Sequence, residues 1–235
     1  MMLRASVLLL KRVTTFLGFP VEFCQLVKFE LLAFSVRCFY RFSPWQLWGV
    51  RKLKRTKDLR INIGCWFRPL DGWINVDGIP NPHADILADL RCRLPFESSC
   101  ARYIFAEHVI EHLRREEALL FLKECYRILA PGGAIRLITP DLERFVRAYL
   151  EHDANFFAIA SPDASRPVQA LNVMFRQGGA HNYAYDFEEL GIILREAGFR
   201  DIHHSSFRNS VWPELNLDVT DQQRQAESLY VESSK

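Results

Sequence analysis

The chain has no CxxC pair among its six cysteines (Cys24, Cys38, Cys65, Cys92, Cys100 and Cys125), and their spacing is irregular. This argues against a disulfide framework or a cysteine-based zinc module and fits reduced thiols in a cytosol. Long apolar runs are also missing. The longest uncharged stretches of the first 58 residues, such as Phe42 to Val50, fall well short of the roughly 18 residues a spanning helix needs. Ala5 to Leu10 is too short for a signal-peptide core. Acids are scarce at the start, where residues 1–60 hold 12 Lys and Arg against 3 Asp and Glu. The remainder holds 18 against 25, and so acidic a body lacks the basic footprint of a nucleic-acid groove.

What is present is globular in composition, with 49% apolar and 25% charged residues. At 235 residues the chain suits one domain with an appendage. Residues 1–58 form a basic, apolar, helical arm, and residues 59–235 form the body. The stretch Val21 to Val50 is dense in Phe, Leu and Trp with Arg and Lys scattered through it. It suits a helix lying on an anionic membrane surface at the inner, cytoplasmic face, or helices packed against the body. The acid-free, Arg-containing start up to Val21 also fits an organelle presequence.

The body is organised around Leu59 to Asp77, LRINIGCWFRPLDGWINVD. A β-branched run stops at Gly64 and a second stops at Asp77. A glycine lets backbone approach a ligand closely, and a carboxylate can accept both hydroxyls of a ribose. Only eight residues separate Gly64 from Trp73, and a parallel crossover usually needs about a dozen. A crossover helix is therefore absent or a single turn. The sheet face it would cover is left open, and the arm is a candidate to close it.

Further strands are expected at Asp85 to Ala88, Tyr103 to Ala106, Ala134 to Thr139, Phe199 to His204 and Ser228 to Glu232. Helices are expected at Arg114 to Leu129, from Asp141 onward, and at Phe187 to Ala197 between the caps Asp186 and Gly198. Residues 153–180 read as loop. Strands alternating with helices give an α/β domain with a mainly parallel sheet. Ligands of such sheets bind at the strands' carboxyl ends, where Gly64, Asp77, Asp89, Glu107, His108 and Asp141 all fall.

The order of these motifs resembles the class I S-adenosylmethionine-dependent methyltransferases, from about Leu59 to the C-terminus. NIGC at 62–65 resembles the family's glycine loop, and GWINVD at 72–77 its second strand with the ribose acid. ADLRCRLPF at 88–96 resembles the adenine-side loop, and AEHVIEHL at 106–113 the fourth strand and its exit. LKECYRILAPGGAIRLITPDL at 122–142 resembles the helix, PGG turn and fifth strand. The segments HNYAYDFEELGIILREAGF and ESLYVE resemble one branch of small, mostly bacterial members whose substrates are poorly defined. The resemblance implies a Rossmann-like seven-stranded sheet with an antiparallel last strand, S-adenosylmethionine as cofactor, and methyl transfer. It implies Gly64, Cys65 (through its amide), Trp66, Asp77, Asp89, Leu90 and Glu107 as cofactor contacts.

One departure stands out: Trp66 takes the place of the family's second glycine. An indole there must swing away, stack on the ligand or block it, and the last case would make the chain a non-catalytic binding or scaffold protein. His108, Glu111 and His112 also spell H-x-x-E-H, the inverted zinc-peptidase signature. The methyltransferase pattern accounts for the same letters, so no metal is expected. Methyl transfer is an in-line displacement governed by proximity, and a hydroxyl acceptor also needs a base. The candidates are His181, His108 and Asp141, with His181 in a glycine-rich segment suited to a lid. The acceptor is expected to be a small molecule, a glycan or a lipid-linked compound.

Overall fold

Ile61 and Ile63 alternate with Arg60 and Asn62, and this period of two builds the first central strand of the sheet. In the computed structural model, which describes residues 18, 21–44, 49–50, 53 and 56–235, seven strands form one sheet. They are β1 (Leu59–Ile63), β2 (Ile74–Asp77), β3 (Ile86–Leu87), β4 (Ala101–Glu107), β5 (Leu129–Pro140), β6 (Asp201–His204) and β7 (Ser228–Ser234). Their order is β3-β2-β1-β4-β5-β7-β6. The first five run parallel, while β7 is antiparallel to both β5 and β6.

The helices are α1 (Val21–Phe42), α2 (Arg115–Ile128), α3 (Leu142–Leu150), α4 (Ala154–Ala160), α5 (Pro167–Arg176), α6 (Phe187–Ala197) and α7 (Gln222–Glu227). Segment 153–180, expected to be loop, is therefore largely helical. Asp153 caps α4 by accepting from the Phe156 N–H, and Pro167 opens α5, so the polar and proline residues mark helix ends. Gly132 and Gly133 do not interrupt β5 but lie within it, at a register shift between Ala101 and Tyr103 of β4.

The main core lies on one sheet face, where Ile61, Ile63, Ile104, Ile135 and Leu137 meet α2 and α6. Val50 and Leu53 of the arm join this face. The opposite face carries a smaller cluster of Trp73, Tyr103, Phe105, Ile138, Leu215 and Tyr230, closed by Leu70, Phe207, Trp212 and Leu217. The described part of the arm thus thickens the already covered face, and loops close the other. Amides make this workable. Asn62 Nδ2 donates to Asn75 Oδ1 at 2.9 Å and to the Arg68 carbonyl at 3.2 Å, and the Leu70 N–H donates to the same Asn75 oxygen at 2.8 Å. Buried side-chain hydrogen bonds satisfy the backbone of a crossover too short for a helix.

Helix α1 is tied to the body by ion pairs. Arg37 reaches Asp89 at 2.9 Å, and Glu30 reaches Arg91 at 2.6 Å. Ala33 and Val36 are buried, whereas Leu26, Leu31, Phe34, Phe39 and Phe42 are exposed. Among the described residues no helix is long and apolar enough to cross a membrane.

Candidate active site

The carboxyl edge of β1, β2, β4 and β5 gathers the expected polar residues. Gly64 ends β1 with φ of +74°, a left-handed conformation, and an added Cβ would meet Val109 Cγ2 at 2.2 Å. Only glycine fits there. Its N–H donates to the Val76 carbonyl at 2.8 Å, drawing the loop over the end of β2.

Asp77, at the end of β2, is buried and accepts the Trp66 N–H at 2.7 Å on one oxygen and the Ile79 N–H at 2.8 Å on the other. Trp66 has φ of +44°, so it holds the backbone conformation a glycine would favour at that position. Its indole is 52% exposed and meets the Phe67 ring edge-on at 4.8 Å. Cys65 is buried beside Asp77, and burial followed by the carboxylate's charge pushes its thiol up to about 11. It is no thiolate nucleophile near neutral pH.

Asp89 follows β3 and is saturated. One oxygen accepts the Arg91 N–H at 3.1 Å and Nε at 3.0 Å; the other accepts Arg37 Nη1 at 2.9 Å and Arg91 Nη2 at 3.0 Å. Burial raises its pKa, but these arginine contacts outweigh that and hold it below the usual carboxylate value. Leu90 packs against the main core next to it. Arg37 belongs to an arm some fifty residues upstream, and nothing in the local sequence around Asp89 announces the contact.

Beyond β4, the chain enters a 3-10 helix, Ile110–His112. Glu107, at the strand end, has its pKa raised by burial. His108 has φ of +52° and both ring nitrogens engaged, with Nε2 2.9 Å from Ser228 Oγ and Nδ1 3.2 Å from Glu111 Oε1. Asp141 is buried, caps α3 through the Arg144 N–H at 3.3 Å, and lies 3.4 Å from Arg144 Nε. Burial raises its pKa. His181 is the least committed of the three base candidates. Its Nδ1 lies 2.6 Å from the Met174 carbonyl, which can only accept, so Nδ1 carries the proton and Nε2 the lone pair. Burial lowers its pKa, favouring the neutral ring.

The structure does not bring His108 and His112 together as an H-x-x-E-H pair. His112 Nδ1 turns to the Ala180 carbonyl at 3.0 Å, and its ring meets that of His181, with centroids 5.0 Å apart. The partner of His112 therefore comes from a loop about seventy residues downstream, a pairing no short motif encodes.

Residues 78–137 match the methyltransferase domain family. The matched stretch runs from the end of β2 through β3 and β4 into β5, about a quarter of the chain. Solved structures similar to it include an S-adenosylmethionine-dependent methyltransferase from Archaeoglobus fulgidus, at 17% identity and TM-score 0.47, covering 92% of this chain and 100% of that one. Another, from Thermotoga maritima, has 16% identity and TM-score 0.48, covering 88% of this chain and 98% of that one. A third, from Aquifex aeolicus, has 13% identity and TM-score 0.41, covering 83% and 90%. No curated protein sequence matches significantly.

S-adenosylmethionine is the cofactor the sequence resemblance implies, and the residues fit it unevenly. Asp77 Oδ1 accepts only the Ile79 N–H and retains a lone pair for a ligand hydroxyl, whereas Oδ2 accepts both the Trp66 N–H and, at 3.8 Å, the Cys65 thiol. Asp89, the acid expected on the adenine side, is taken by Arg37 and Arg91.

Proposed function

We propose that this protein transfers a methyl group from S-adenosylmethionine to a small molecule, a glycan or a lipid-linked compound. The observation that carries the reading is the placement of Gly64, Asp77 and Asp89 at the ends of three neighbouring strands of a β3-β2-β1-β4-β5-β7-β6 sheet. Asp77 would hold the ribose, the Gly64–Cys65 backbone the amino-acid portion, and Asp89 with Leu90 the adenine side. The bound cofactor supplies an electrophilic methyl on a sulfonium. Positioning the acceptor is then the protein's main task. His181, neutral and with a free Nε2 lone pair, is the residue best suited to take an acceptor proton. His108 and Asp141 are already hydrogen-bonded within the body and suit positioning.

The exposed apolar side chains of α1 and the basic excess of residues 1–60 support peripheral attachment to an anionic membrane surface at its cytoplasmic face. Such attachment suits a lipid-linked acceptor. A second reading, a binding or scaffold protein without catalysis, draws on the occupation of Asp89 by Arg37.

Calorimetry with S-adenosylhomocysteine separates the two readings. Saturable binding that Asp77→Ala abolishes supports the enzyme, whereas no heat and no thermal shift at millimolar ligand overturns it. Co-sedimentation of the full chain with anionic but not neutral vesicles, weakened in a Leu31→Ser/Phe34→Ser variant, supports the membrane reading. Equal recovery in the supernatant with both vesicle types sinks it.

A further inference from the structure

Glu111, His112 and His181 place one ligand atom each within 4.8 Å of one another. The first two sit on the 3-10 helix after β4, and the third lies on the loop before α6. That loop is sewn to the 3-10 helix. The N–H groups of Asn182 and Tyr183 donate to the Glu111 carbonyl at 2.8 and 3.2 Å, and Asn182 Nδ2 donates to the His112 carbonyl at 2.7 Å. The clamp fixes His181 against His112 with no need of a further group to hold the rings.

Both imidazoles are oriented from behind. His112 Nδ1 donates to the Ala180 carbonyl and His181 Nδ1 to the Met174 carbonyl, which leaves the Nε2 lone pair of each ring unused. A backbone carbonyl on the far nitrogen is the usual support of a metal-binding histidine, since it fixes the tautomer and raises basicity. The third group is a carboxylate with capacity to spare. Glu111 is buried at 1% exposure; its Oε2 accepts from Thr139 Oγ1 at 3.2 Å, while Oε1 makes no hydrogen bond and has only His108 Nδ1 beside it, at 3.2 Å. That oxygen has the His108 imidazole as an ion-pair neighbour but accepts no hydrogen bond, so it keeps lone-pair capacity for a cation.

We propose that Glu111, His112 and His181 form a binding site for a divalent transition-metal ion, zinc first among them. Two imidazoles and one carboxylate are a ligand set zinc accepts, and they leave a fourth position open to water or to an oxygen of the methyl acceptor. The site stands at the carboxyl edge of β4 and β5, and it uses none of the residues assigned to the cofactor. It therefore stands or falls independently of S-adenosylmethionine binding. The metal-ligand and proton-acceptor roles of His181 are alternatives, because an Nε2 lone pair given to a metal cannot also take a proton, and the titration below decides between them.

Cobalt(II) titration of the purified, chelator-treated full chain tests the site. One equivalent should bind with visible d–d bands and without the near-ultraviolet thiolate charge-transfer band that a cysteine site would give, and zinc should displace it. His112→Asn and His181→Asn should each weaken binding by about tenfold or more, as loss of a ligand or its support does. The exposed His152→Asn serves as control and should bind as the parent does. Glu111 is buried, so Glu111→Gln is read only alongside a circular dichroism spectrum, and the two histidine variants are decisive. No stoichiometric d–d signal, a thiolate band, or unchanged affinity in both folded histidine variants overturns the proposal.

Discussion

The backbone N–H of Trp66 donates to the carboxylate of Asp77 at 2.7 Å, across the mouth of the β1–β2 loop. The contact is made by the main chain, so the indole is not what holds the Asp77 carboxylate in place. Replacing Trp66 by glycine relieves a left-handed residue at φ of +44°, which costs a non-glycine roughly 1 kcal/mol. The edge contact with Phe67 that is lost has a similar size, about 0.5–1.5 kcal/mol. Trp66→Gly should therefore unfold within about 1 kcal/mol of the parent. Trp66→Pro removes the donor and cannot reach a positive φ, and should cost about 3 kcal/mol or more. Denaturant midpoints of the two variants check the pair; equal destabilisation would show that the indole, not the N–H, matters.

Arg37 competes with any ligand of Asp89. The pair is 2.9 Å long, and the Arg37 side chain is 39% exposed, so the bond is worth about 0–1 kcal/mol after screening. Removing it with Arg37→Ala should raise affinity for S-adenosylhomocysteine by up to about fivefold. Asp89→Ala should lower it. Calorimetry gives both numbers, and a weaker rather than tighter Arg37→Ala would mean that the arm helps to build the adenine side.

Arg136 is fully buried on β5 between two carboxylates, with Nη2 2.5 Å from Asp218 and Nη1 2.7 Å from Glu232. Its guanidinium also lies 5.2 Å from the centre of the Tyr230 ring. Arg136→Met leaves two buried acids without their cation and should cost about 3–5 kcal/mol. Thermal unfolding measures this. A loss under about 1 kcal/mol would mean that water or a rearranged side chain replaces the guanidinium.

Glu111 predicts a pH dependence. Burial opposes its charge, but the His108 imidazole 3.2 Å from Oε1 prevails and holds its pKa down at about 2, against an ordinary value of 4.5. The folded value lies below the unfolded one, so this contribution is complete above pH 4.5 and is lost as pH falls toward 2. Glu111→Gln should flatten the acid limb of a stability–pH profile over that window. An unchanged limb assigns the acid loss to other carboxylates.

Much of the fold is legible in the chain. Alternating β-branched runs and end-of-strand punctuation locate the central strands, and the caps Asp186 and Gly198 bracket α6. Segment 153–180 departs from the loop expected of it. Pro162, Pro167 and the paired glycines have the composition of a loop, yet the prolines bound helices whose apolar faces pack on Phe145. The site is legible in strand-end positions such as Gly64 and Asp77. It is not legible where two distant segments meet, as Arg37 meets Asp89 and His181 meets His112. Such contacts depend on tertiary placement, and no local spacing carries them.

The amide pair beneath the β1–β2 loop has a chemical corollary. Asn75 Nδ2 lies 3.2 Å from the Asp85 carboxylate, and Asn62 Nδ2 donates to Asn75 Oδ1 in turn. Exchanging nitrogen for oxygen at Asn75, with no change of shape, would set one carboxylate against another. The stability of this crossover hangs on the identity of a single atom, so substituting or hydrolysing that amide is damage a repacked core could not absorb.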